Sequence, residues 1–179
     1  QKRGKKIAIA SGRSIAGIRK NASQIQLEKF GGFVIAYNGT TVVNCKTGEC
    51  IYNQMVPGEI LEPVYKEAVK AEVSIAVYND AEKELIAANG VTRYIDADAR
   101  ACDVAVRETD DFVKVVNFGF NKIMLSGEPD SMKNIEKHMR EMFGDKVNVF
   151  RSDPHFVELL PKYVDKGVAV EKLMRYLDI

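Results

Sequence analysis

Two short apolar runs, IAIA over residues 7–10 and FVIAY over residues 33–37, lie one helix length apart. Each stops abruptly at small polar residues, Ser11-Gly12-Arg13 after the first and Asn38-Gly39 after the second. Continuous apolar runs this short read as strands covered on both faces of a parallel sheet. Between them Ile15, Ile18, Ala22 and Ile25 recur on one side of a helix expected over residues 15–30, with Ser14 as its N-cap and Gly31-Gly32 as its stop. Strand, helix, strand is a βαβ unit, and its crossover is almost always right-handed. Parallel strands share one carboxyl edge, so the two polar endings are brought to the same place. Open α/β sheets bind ligands there.

From Thr40 the pattern changes. TTVVNCKTGECIYNQMV alternates about a four-residue turn and predicts an antiparallel hairpin. A helix follows between Glu59 and Glu72, with Ile60, Leu61, Val64, Ala68 and Val69 inward; Pro63 either kinks it or lies in its first turn. VSIAVYND, KELIAAN and VTRYID read as strands, and residues 101–117 show no clear period. NKIMLSG is a strand, and residues 129–143 form a helix burying Met132, Ile135, Met139, Met142 and Phe143. VNVFRSD and HFVELLP are further strands. A last helix over residues 166–177 carries Val170, Leu173, Met174 and Leu177 at helical spacing. The fold class is therefore α/β: a partial Rossmann-like parallel core in two pieces, residues 1–44 and 161–179, interrupted by an inserted module of mixed antiparallel strands and two helices over residues 45–160.

Charge and cysteine content narrow the function classes. Lys and Arg number 26 against 25 Asp and Glu, so no field of one sign favours nucleic acid or an anionic membrane as a partner. No run approaches the roughly 20 apolar residues of a membrane span, and the start QKRGKK lacks a signal peptide's apolar region. A cytoplasmic location is expected. Three cysteines, Cys45, Cys50 and Cys102, fit reduced thiols; Cys45 and Cys50 flank KTGE and are placed to face each other across the hairpin. His138 and His155 are too far apart in pattern to suggest a metal site. Asp96, Asp98 and Asp103 imitate a calcium loop, but Ala101 occupies the position that needs glycine.

The polar endings carry the functional signal. Ser11 supplies a hydroxyl, Gly12 an amide with no side chain in the way, and the helix starting at Ser14 the positive end of its dipole. Such a place suits phosphate. The same tripeptide also serves as a plain strand-to-helix turn. Lys166, at the start of the last helix, opposes that helix's dipole at a cost of roughly 0.3–1 kcal/mol; an anion beside it would reverse the sign, and Asp165 would also neutralise it. Asn38-Gly39 stands where the parallel unit gives way to the inserted module, as a hinge or as a common turn.

IAIASGRSIAGIRK, FVIAYNGTTVVN, KIMLSGEPDSM and FVELLPKYVDKGVAVEKLMRYLDI resemble, in this order, segments of the Cof-type phosphatases of the haloacid dehalogenase superfamily. The resemblance implies a Rossmann-like core that carries the chemistry and an α/β cap that closes over the substrate. It implies that Ser11 and Gly12 bind the transferring phosphoryl group and that Lys166 holds its oxygens, Ser11 and Lys166 being the catalytic pair within this chain. It places Asn38 and Gly39 facing the substrate and completes a Gly-Arg motif with Arg13. It further implies Mg²⁺ as cofactor and a small phosphorylated metabolite, a sugar phosphate or phosphorylated cofactor, as substrate.

Family members begin with Asp-x-Asp-Gly-Thr, whose first Asp is the nucleophile, and carry a late acidic metal-binding motif. Residues 1–179 contain neither. YIDADAR over residues 94–100 has the Asp-x-Asp spacing but follows the Ser11 motif instead of preceding it and lacks Gly-Thr. The chain is thus expected to be a fragment, with the cap and phosphate-binding residues but no nucleophile, and inactive by itself. Covalent phosphoryl transfer needs that carboxylate. The contrasting expectation is a non-catalytic module that binds a ligand or a protein.

Overall fold

The computed structural model describes residues 5–179. The described chain divides into two compact units, one formed by residues up to Gln54 together with Tyr163–Ile179, the other by Met55–Lys162. The hairpin that the sequence divides at residue 44/45 therefore lies whole in the first unit. Backbone pairing explains why: its two strands extend that unit's sheet, and the second unit begins only after them.

In the first unit β1 (Ala8–Ala10) pairs in parallel with β2 (Phe33–Ala36), Ala8 opposite Phe33, as the βαβ reading predicts. β3 (Thr41–Asn44) and β4 (Cys50–Asn53) continue the sheet antiparallel, giving the order β1-β2-β3-β4. The helix between β1 and β2 is not one piece. It consists of α1 (Ile15–Gln24) and α2 (Leu27–Phe30), broken where Gln26 takes the left-handed conformation at φ 53°. The break rotates the chain so that Leu27 becomes buried and Ile25 is left exposed, the reverse of the expected register for Ile25. α7 (Lys166–Leu177) returns from the far end of the chain and buries Ala169 and Leu173 against Phe33, Ile35 and Val42. Val170 and Met174, read as part of its inward face, are exposed; the buried stripe runs one residue earlier. IAIA is not covered on both faces either. Ala8 and Ala10 are exposed and Ile9 half-buried, because β1 is the edge strand among the described residues.

The second unit holds a six-stranded sheet in the order β7-β6-β5-β8-β10-β9. Its elements run α3 (Leu61–Lys70), β5 (Ser74–Asn79), β6 (Glu84–Ala88), α4 (Arg93–Cys102), β7 (Ala105–Glu108), α5 (Phe112–Val115), β8 (Ile123–Ser126), α6 (Pro129–Phe143), β9 (Val147–Asp153) and β10 (Phe156–Pro161). Only the β6–β7 pair is parallel. Val64 and Ala68 of α3 and Met132, Ile135, Met139 and Phe143 of α6 form one core with Ile75, Val77, Ile123, Leu125, Val157 and Leu159 from the sheet. Pro63 lies in the first turn of α3, which removes no internal hydrogen bond. Val69 and Met142, read as inward, are exposed.

The largest departure is VTRYID. It is the start of α4, with the Thr92 hydroxyl accepting from the Ile95 amide at 3.2 Å as N-cap. Ile95, Ala99 and Cys102 then fall on one buried helical face. Six residues alternating in polarity mimic a strand; the cap and the longer i, i+4, i+7 stripe decide for helix. The second unit thus has four α-helices where two are expected.

Candidate functional site

Ser11 leaves β1 with its amide bonded to the Ile35 carbonyl of β2 at 2.9 Å, so the first polar ending starts in sheet register. Its hydroxyl oxygen then accepts from the Arg13 amide at 3.2 Å, which folds Ser11-Gly12-Arg13 into a tight turn. Ser14, fully buried, caps α1 by accepting from the Gly17 amide at 3.1 Å. The helix N-terminus therefore opens directly behind this turn. Arg13 points to solvent.

The second ending crosses the first. The Tyr37 amide donates to the Arg13 carbonyl at 2.9 Å and the Asn38 amide to the Ser11 carbonyl at 3.0 Å. To make both bonds the chain turns through three successive residues with positive φ: Tyr37 at 48°, Asn38 at 57° and Gly39 at 107°. Two of these carry side chains, at a cost of about 1–2 kcal/mol each. Burial of the Tyr37 ring and the cross-loop bonds offset it. The Asn38 side chain lies over Gly12 so closely that a Cβ at Gly12 would stand 2.7 Å from its Oδ1.

Gly39 touches the third element. A Cβ there would stand 2.5 Å from the Asp165 carbonyl carbon and 2.9 Å from the Lys166 amide nitrogen. Asp165 does not serve mainly to neutralise Lys166, as the sequence suggests; its carboxylate caps α7, accepting from the Val168 amide at 2.8 Å. The structure thus joins Ser11-Gly12, Asn38-Gly39 and the start of α7 in one continuous backbone contact, with the Lys166 side chain exposed and Arg13 at the margin. Asp165 was missed as part of this assembly, although Asp directly before an apolar-periodic run is an N-cap signal.

Among the described residues no group of three or more His, Cys, Asp or Glu stands close enough to hold a metal ion. Asp165, the acidic side chain at the junction, is engaged as a cap. The described residues by themselves do not make a magnesium site.

The remaining sequence candidates are occupied elsewhere. Asp96 pairs with Arg100 at 2.5 Å along α4, and Asp98 accepts from the Tyr78 hydroxyl, whose pKa is pushed up by burial and by the Asp98 charge. An Asp-x-Asp in mid-helix cannot present two carboxylates to one phosphorus. His138 contacts Glu67 at 2.7 Å, and His155 stacks on Tyr94 at 3.6 Å. Lys122 and Glu158 form a buried pair at 3.1 Å, with Ser152 donating to the same carboxylate oxygen. All three cysteines are free, and Cys50 stands near Val43 in the hairpin register instead of facing Cys45.

The sequence profile of the haloacid dehalogenase-like hydrolases matches residues 1–179. The chain belongs to that family. A relative from Streptococcus pyogenes, provisionally named a phosphatase, is 26% identical over 177 residues, 97% of this chain and 64% of its own length. A haloacid dehalogenase-like hydrolase from Bacteroides thetaiotaomicron superposes with TM-score 0.93 at 29% identity, over 99% of this chain and 66% of its own. BT4131, described as a subclass IIB sugar phosphatase of the superfamily, shares the fold at TM-score 0.76 and 20% identity, over 99% of this chain and 65% of its own. The chain therefore spans just under two thirds of the length of these relatives. Among the described residues no helix is long and apolar enough to cross a membrane.

Proposed function

We propose that this chain is the larger part of a phosphatase acting on small phosphorylated metabolites, sugar phosphates or phosphorylated cofactors, in the cytoplasm. The observation that carries the reading is the continuous contact from Ser11-Gly12 through Asn38-Gly39 to the start of α7. It gathers a hydroxyl, a glycine loop backed by a helix N-terminus and an ammonium-bearing segment at one sheet edge. That is the donor set a phosphoryl dianion requires.

In this reading Ser11 and the Gly12 amide meet phosphoryl oxygens and Lys166 balances their charge. The Ser11 oxygen accepts from the Arg13 amide, and its hydroxyl proton would be donated to an oxygen of the substrate. The family resemblance implies for the second unit the role of a cap, which in that family excludes water and selects the leaving group. The family resemblance assigns the nucleophilic carboxylate to an Asp-x-Asp-Gly-Thr segment that residues 1–179 do not contain, and it assigns Mg²⁺ to the complete protein, where it would supply charge neutralisation. The sugar phosphatase name of one structural neighbour supports the substrate class.

The test is a panel of metabolite phosphates offered to the full-length protein with Mg²⁺, read as phosphate release, beside Ser11→Ala, Lys166→Ala and the 179-residue chain. Turnover by the full-length protein, lowered on the order of 10²-fold by either substitution and absent from the 179-residue chain, is expected. Hydrolysis by the 179-residue chain that both substitutions leave untouched would end this reading.

A further inference from the structure

We propose that Asn38 and Gly39 are positioning residues and not phosphate ligands: together they form a spacer that sets the distance between the Ser11-Gly12 loop and the Lys166 ammonium. The inference rests on the phosphate-binding reading above and assigns those two residues a different task within it.

The argument is steric. Asn38 presses its side-chain amide on the Cα of Gly12, where a methyl group would stand 2.7 Å from Oδ1. Its neighbour Gly39 presses its own Cα on the Asp165–Lys166 peptide, where a methyl group would overlap the carbonyl group and approach the Lys166 nitrogen to 2.9 Å. One dipeptide therefore leaves no room for a methyl group against either half of the site. The Gly39 side meets backbone of Asp165 and Lys166 and leaves no room, whereas the Gly12 side meets the end of the Asn38 side chain. The Asn38 backbone amide is further tied to the Ser11 carbonyl at 3.0 Å, and Asp165 is tied into α7 through Val168 at 2.8 Å and Ala169 at 3.1 Å. A displacement at Gly39 is consequently passed to the helix start that bears Lys166. Tyr37, Asn38 and Gly39 together form a left-handed turn between the Ser11-Gly12 loop and the start of α7. Gly39, at φ 107°, also has to be glycine for its own backbone.

The experiment titrates the 179-residue chain with inorganic phosphate and follows amide shifts by NMR, so no catalytic carboxylate is needed. Gly39→Ala is measured alone and in a Lys166→Ala background, with thermal melting recorded throughout. Gly48→Ala is the control, because Gly48 has a positive φ of 74° but nothing within 4 Å of an added Cβ. It should lose some stability and keep its phosphate affinity. Lys166→Ala and Gly39→Ala are each expected to weaken phosphate binding about tenfold, a lost charge-assisted contact, and the double variant no further than about twofold beyond Lys166→Ala. Asn38→Gly is the second variant; it suits the positive φ and removes only the side chain that presses on Gly12. Its loss should vanish in a Ser11→Ala background, whereas a direct phosphate ligand would add its loss to that of Ser11.

If Gly39→Ala does not fold, the Asn38→Gly cycle decides alone. Additive losses in a folded variant, or unchanged affinity in Gly39→Ala, overturn the spacer. Undiminished phosphate affinity in Ser11→Ala and Lys166→Ala, or no binding by the parent chain, overturns the phosphate reading itself.

Discussion

Ser14 sits fully buried with its hydroxyl bonded to the Gly17 amide, so no water replaces it when it is removed. Ser14→Ala is expected to cost about 1 kcal/mol, read as a lower urea midpoint; an unchanged midpoint would show that the cap contributes nothing. The thiols differ in the same local way. Cys50 is exposed, Cys102 is buried beneath the Tyr78 hydroxyl, and Cys45 is half-covered with its pKa raised by burial and by the nearby Glu28 charge. Because the thiolate is the reactive form, iodoacetamide at pH 8 should label Cys50 first, Cys45 next and Cys102 last, and Glu28→Gln should speed Cys45 alone. Equal rates before unfolding would contradict this. At this scale the sequence shows identity but not distance. Ser11, Gly12 and Lys166 stand out as chemistry, whereas the need for glycine at position 39 arises from Asp165, more than a hundred residues along the chain.

On α3, Glu67 bridges its own helix to α6, with one carboxylate oxygen 2.5 Å from Lys70 and the other 2.7 Å from His138. The Lys70 hydrogen bond first, and the His138 bond next, hold its pKa below the ordinary carboxylate value. A group whose folded pKa is depressed contributes stability above its unfolded pKa, about 4.3, and loses it as pH falls through the folded value. Glu67→Gln should therefore show a shallower decline of the urea midpoint between about pH 5 and pH 3. A decline as steep as that of the parent would mean that the pair does not couple to folding. The helices that bear such pairs were legible wherever the apolar stripe runs for three turns, as in α6 and α7. Over six residues, a strand and a capped helix start give the same polarity pattern, which is why α4 reads as a strand until Thr92 is recognised as its cap. Ile25 was misjudged as inward because the left-handed residue Gln26 resets the helical phase without leaving a trace in composition.

At the scale of the molecule, the βαβ start and the returning last helix announce an interrupted α/β unit, and the structure builds that unit with β1 at its open edge among the described residues. Parallel strands are rarely left so. Ser11 donates its amide to Ile35, and the Phe33 amide donates to the Ile7 carbonyl; by the alternation of a strand, the Ala8 and Ala10 amides face away from β2. An apolar edge whose amides face away from its own sheet is a template for another strand. If the complete protein carries its nucleophile on a strand beside β1, as the proposed function requires for a carboxylate to reach the Ser11 site, that strand must take up those two amides. Hydrogen exchange separates the cases residue by residue. In the 179-residue chain Ala8 and Ala10 should exchange far faster than Ser11, and in the full-length protein all three should be protected alike. Fast exchange at Ala8 and Ala10 in the full-length protein would leave β1 an edge there too, and the nucleophile would have to come from elsewhere.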